Sequence, residues 1–164
     1  MNLSYPATRP AAAGPTHRES TARRAARRLA RGPAVVPSPA TRWAVNVAAL
    51  LGAALMVWSA VIHLQLWADG YRSIAVIGPL FLIQGIGSIV LALAIAVSRR
   101  AFLLAAGGVM MAGTAVGLLV SASVGLFGFQ DSLAVPGAMT SLVAEFGAAA
   151  VLAAAATALA ARRR

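Results

Sequence analysis

Three side chains in this 164-residue sequence are out of keeping with their surroundings: His63, Gln84 and Glu145 each lie inside a long apolar run. Each has a hydroxyl four residues away, Ser59 with His63, Ser88 with Gln84 and Ser141 with Glu145, a spacing that sets both members on one face of a helix. A lone carboxylate in a low-dielectric setting either finds a partner or takes up a proton. Glu145 therefore needs company, and His63 is the simplest partner, with Gln84 bridging. Two readings stay open: polar glue between helices, or a ligand-binding site built from Ser59, His63, Gln84, Ser141 and Glu145 and linked to a proton.

The same inventory narrows the chemistry. There is no nucleophile, base and acid set, no phosphate-binding glycine loop and no pair of catalytic carboxylates, so no catalytic residue is assigned. One His, one Glu and one Gln make a thin ligand set for a metal, and the other histidine, His17, lies too far off in the N-terminal tail. The sequence has no Cys, which removes disulfides, thiolate metal sites, thioether-linked haem and thiol catalysis. No metal and no cofactor are expected.

What positions these residues follows from composition. The chain is 60% hydrophobic and only 11% charged, the balance of a protein embedded in lipid. Four runs, roughly 44–67, 76–98, 101–127 and 136–161, reach the length of about 20 apolar residues that a helix needs to cross a hydrocarbon core. Backbone polar groups cannot go unpaired in lipid, and the runs do not alternate as barrel strands would, so helices are predicted. The links are short: "ADGYRSI", the Arg99-Arg100 corner and "GFQDSLAVPG". Short links require antiparallel neighbours. The expected fold is all-α, an integral membrane four-helix up-down bundle over residues 43–164, preceded by a disordered basic tail over residues 1–42.

Arginine placement predicts the orientation. Of 14 basic residues, all Arg, only Arg72 falls on the side of the first and third links, with Asp69 and Asp131. The rest precede the first span, sit at Arg99 and Arg100, or close the chain, and Arg in short flanks is retained in the cytoplasm. A multi-pass protein of the cell membrane with both termini cytoplasmic is predicted. Trp43 and the Trp67/Tyr71 pair fall at the two interfaces of the first span, where amphipathic rings settle. Counted inward from the outer ends at about 1.5 Å per residue, His63 lies roughly 6 Å deep, Gln84 roughly 9 to 14 Å and Glu145 about 13 Å. All three share the outer half.

The first 42 residues are rich in Pro, Ala and small polar side chains and bury too little to order themselves. Within them "STARRAARRLARG" could form a short basic helix against anionic lipid, although a solvated, orientation-setting flank is the simpler reading. The run has no interleaved aromatics, so nucleic acid is not an expected partner. "SRRAFL" at Ser98 imitates a twin-arginine export signal but lies between two spans. The first span is too long for the core of a cleavable signal peptide and is expected to stay.

The third span carries Gly113, Gly117, Ser121 and Gly125 at intervals of four, a small-residue ridge predicted to let another helix approach closely, within the bundle or in a homo-oligomer. The first link, with the spans it joins, reads "HLQLWADGYRSIAVIGPLF" from His63 to Phe81. Gly70 suits its turn, Gly78-Pro79 suits the first turn of the next helix, and Asp69, Tyr71 and Arg72 form an outer loop in which Asp69 and Arg72 are close enough to pair. This stretch resembles the motif H-L-x-L-W, then G-Y-R-x-I-P-x-I-G-P-L-F-L-x-Q, of a family of uncharacterised small four-span membrane proteins of actinobacteria. It is carried by His63, Leu64, Leu66, Trp67, Gly70, Tyr71, Arg72, Ile74, Ile77, Gly78, Pro79, Leu80, Phe81, Leu82 and Gln84, with Ala75 where the pattern has Pro. The resemblance implies the four-span topology and marks this hairpin; it implies no reaction. Size and span count are also similar to those of DoxX-like membrane proteins.

Three functions are compatible with the residues: an accessory or ligand-binding membrane component using the outer-half polar pocket, a proton- or solute-coupled permease working as an oligomer, and a subunit of a membrane redox enzyme. The lipid bilayer is a partner in each, and a membrane protein or a second copy of the chain is a further one.

Overall fold

The computed structural model describes residues 38–161; the basic helix considered at residues 20–29 and the three closing arginines lie outside them. Four helices follow one another: α1 (Pro39–Asp69), α2 (Ile77–Ser98), α3 (Ala101–Val124) and α4 (Ala138–Ala161). All four are long and apolar enough to cross a membrane, so the chain is an all-α, multi-pass membrane protein, as its composition predicts. α1 begins five residues earlier than the hydropathy run. Ser38 caps it by accepting the Thr41 N–H at 3.2 Å, and Pro39 occupies the first turn, where its missing N–H costs nothing. Residues 39–42 thus belong to the bundle and not to the tail.

α1 and α4 pack along each other at the centre of the arrangement, with α2 along α1 on one side and α3 along α4 on the other. α2 and α3 touch far less than the other neighbouring pairs. Met56, Ile95, Leu104, Met111 and Leu152 are fully buried and fill the middle and the end at which α1 starts and α4 stops. Outside, Val97, Val109, Val124 and Val143 are each more than 70% exposed, whereas Ser59, His63, Ser88, Ser121, Ser141 and Glu145 are buried. Apolar outside and polar inside is the distribution that lipid selects.

The two loops at the other end are tightly made. Gly70 ends α1 at φ 154° with its N–H on the Leu66 carbonyl, and Tyr71–Ser73 form a single 3-10 turn. Val76 then sits at φ 65°, ψ −51°, the centre of a γ-turn closed by the Ile77 N–H on the Ala75 carbonyl at 2.8 Å. That conformation is strained for a β-branched residue. Gly78 lies under the turn: a Cβ there would come within 2.8 Å of the carbonyl oxygens of both Tyr71 and Arg72.

Candidate functional site

Two of the three polar stripes meet. On α1, His63 Nδ1 lies 2.9 Å from the Ser59 carbonyl oxygen. A carbonyl only accepts, so Nδ1 carries the hydrogen and Nε2 is left to face inward. On α4, Ser141 Oγ donates to Glu145 Oε1 at 2.7 Å, and Ser59 Oγ reaches across from α1 to donate to the same oxygen at 2.9 Å. His63 Nε2 stands 3.8 Å from Oε1, beyond hydrogen-bond distance. Glu145 is fully buried, and its Oε2 has no partner among the described residues. Its carboxyl is thus held by two hydroxyls on one oxygen, with an imidazole beside it.

In front of this group lies a cavity of about 220 Å³ between α2 and α3. His63 and Ser141 line its back, while Ser59 and Glu145 stand one layer behind. Phe81 and Gln84 of α2, and Thr114, Gly117, Leu118 and Ser121 of α3, form its sides. The loops close one end. Tyr71 Oη donates to Asp131 Oδ1 at 3.0 Å, the same oxygen accepts the Ser132 N–H at 2.8 Å, and Ser121 Oγ accepts the Asp131 N–H at 3.3 Å. The rings run in sequence, His63 to Phe81 at 4.9 Å, Phe81 to Tyr71 at 4.7 Å and Tyr71 to Phe129 at 5.6 Å between centroids. The Tyr71 hydroxyl is pushed up from 10.0 to about 12, first by burial, then by its hydrogen bond to Asp131 and that carboxylate's charge.

Several expectations are corrected. Gln84 does not bridge His63 and Glu145: it turns along its own helix and donates to Ser88 Oγ at 3.1 Å, because α2 presents that stripe to the cavity and not to the carboxyl. Asp69 and Arg72 are exposed and form no ion pair; the ordered contact of that loop is made by Tyr71. The ridge on α3 does not form a close helix contact, since a Cβ on Gly113 or Gly117 would meet nothing within 4 Å. Gly117 and Ser121 face the cavity, and Gly125 ends α3 at φ 83°. Close approach is made instead at Gly52, where a Cβ would lie 2.6 Å from Leu152 Cγ, and at Gly85, 2.6 Å from Leu64 Cγ. Gly85 has Phe81 and Ile89 at interval four and no small-residue pattern to mark it, whereas Gly52 follows Ala44 and Ala48 at that interval, a signal that the sequence does carry.

No metal-holding group of three or more His, Cys, Asp or Glu occurs among the described residues. Compared with protein-family models, with curated proteins and with solved structures, the chain matches none.

Proposed function

We propose that this chain is a ligand-binding or accessory component of the cell membrane, spanning it four times with both termini cytoplasmic, and that its ligand occupies the cavity in front of His63 and Ser141. One observation carries the reading. Seven residues of the hairpin motif, His63, Leu66, Tyr71, Ile77, Leu80, Phe81 and Gln84, line that single cavity, and Gly78 holds the loop above it. A stretch needed only to turn the chain around would have no reason to place its side chains on one apolar wall with a few convergent polar groups, the usual form of a small-molecule site. The same concentration of motif residues supports grouping the chain with the four-span actinobacterial proteins that it resembles.

Glu145 behind the cavity supports a proton-linked site. Passage through a single chain is less well supported, because the half beyond Glu145 is filled by Met56, Met111 and Leu152, all fully buried. The test is native mass spectrometry of the full chain released from lipid nanodiscs after gentle extraction, alongside a Gly117→Leu variant. A bound small molecule is expected on the unaltered chain and not on the variant, in which leucine enters the cavity. Equal occupancy of both would overturn the reading.

A further inference from the structure

The cavity has one open side. His63 and Ser141 close its back and the Tyr71–Asp131 bond closes it toward the loops. Away from the loops α2 and α3 converge, so that a Cβ on Gly87 would come within 3.1 Å of Met110 Cε; higher up they part, and a Cβ on Gly117 meets nothing within 4 Å. The opening is the gap between two membrane-spanning helices. A ligand therefore arrives sideways, from the hydrocarbon of the bilayer.

Which headgroup fits follows from where the site's own hydrogens go. Thr114 donates to the Met110 carbonyl at 2.9 Å, Ser141 to the Glu145 carboxyl at 2.7 Å and Tyr71 to the Asp131 carboxylate at 3.0 Å. The ring hydrogen of His63 faces the Ser59 carbonyl at 2.9 Å. Each of these acceptors is an oxygen that holds the hydrogen and returns none. What remains toward the cavity is mostly lone pairs, with a second amide hydrogen on Gln84 and the Ser121 hydroxyl hydrogen beside them. The matching headgroup therefore both gives and accepts a hydrogen bond. An acceptor-headed ligand would strand these lone pairs unpaired, which is costly in an apolar setting. An anion would fare worse, because no Arg lines the cavity and Asp131 does. A cation would have to shed its hydration against a wall whose one lining carboxylate, Asp131, already holds the Tyr71 and Ser132 hydrogens, while Glu145 stands a layer behind. Size bounds the body: 220 Å³ exceeds the cavity of about 150 Å³ that admits benzene.

Resting on the ligand-binding reading above, we infer that the site takes an uncharged hydroxyl-headed amphiphile, an alcohol or phenol on a body about the size of one substituted ring, delivered from the bilayer.

The test uses the full chain in lipid nanodiscs and four matched probes: para-hexylphenol, its methyl ether para-hexylanisole, para-hexylbenzoate and para-hexylbenzylamine. Binding is read by ligand-observed NMR as the excess over nanodiscs carrying Gly117→Leu, which removes simple partitioning into lipid. The phenol is expected to bind about tenfold more tightly than the ether, the worth of one good hydrogen bond, with the benzoate and the amine weaker than the phenol. Thr114→Val, which removes one accepting oxygen at nearly constant shape, should narrow the phenol's advantage, and it serves as the comparison if leucine at 117 prevents insertion. Equal binding of phenol and ether, or tighter binding of the benzoate or the amine, would overturn the headgroup inference and leave a ligand site standing. No excess binding of any probe would overturn the site itself.

Discussion

Tyr71, between α1 and α2, donates its hydroxyl hydrogen to Asp131, between α3 and α4, across 60 residues of chain at 3.0 Å. This bond ties the two hairpins together and closes the loop end of the cavity. It survives only while Tyr71 is protonated. The fold raises that hydroxyl from 10.0 to about 12, so the folded state holds the proton more tightly than the unfolded chain. The resulting stability is fully present below pH 10.0, declines as pH rises, and is lost above about 12. Thermal unfolding in detergent should therefore show a decline across that window, and Tyr71→Phe should flatten it. An unchanged decline in the variant would mean that another group is responsible.

Glycines at two places should respond in opposite ways. In Gly78→Ala the new Cβ meets two backbone carbonyl oxygens at 2.8 Å, which no rotamer change relieves, and a cost of about 1–3 kcal/mol is expected. In Gly117→Ala the Cβ enters the open cavity, and a change within about 0.5 kcal/mol is expected. Equilibrium unfolding of the two variants in mixed micelles measures the contrast. A large loss at position 117 would restore the ridge as a packing surface.

These glycines show where sequence reading reaches its limit. The four spans are legible because continuous apolar composition leaves lipid as the only surrounding and helix as the only backbone. The meeting of Ser59 and His63 with Ser141 and Glu145 is legible too, from spacing and depth. The rotation of each helix about its axis is another matter. Lipid and protein interior are equally apolar, so an apolar helix carries no stripe that says which side faces its neighbours. Gln84 and the α3 ridge were misplaced for this reason, since small residues mark an open cleft as readily as a close contact. Tyr71 and Asp131 could be assigned to loops on one side, but nothing local pairs two residues so far apart in the chain.

Orientation has a direct check, because the sequence contains no Cys. A single cysteine at exposed Ala134, in the loop before α4, should react with a membrane-impermeant maleimide on intact cells. One at exposed Ala40, in the first turn of α1, should react only after permeabilisation. The reverse pattern would place Arg99 and Arg100 outside and contradict the positive-inside reading.

The buried carboxyl yields the sharpest set of couplings. Glu145 Oε1 receives hydrogens from Ser59 at 2.9 Å and Ser141 at 2.7 Å and lies 3.8 Å from His63 Nε2. Residues in one network do not add: double-mutant cycles among them should give coupling of about 0.5–3 kcal/mol in unfolding free energy. Ser59→Ala should couple strongly to Glu145→Gln. Its coupling to His63→Ala should be weaker, since the imidazole's better bond is to the Ser59 backbone carbonyl at 2.9 Å, which alanine retains, and its approach to the hydroxyl is 3.4 Å. Gln84→Leu, on a helix whose polar stripe turns to the cavity, should be additive with Glu145→Gln. If instead Gln84 couples to Glu145 and Ser59 does not, the carboxyl faces α2, and the wall of the cavity has to be redrawn around it.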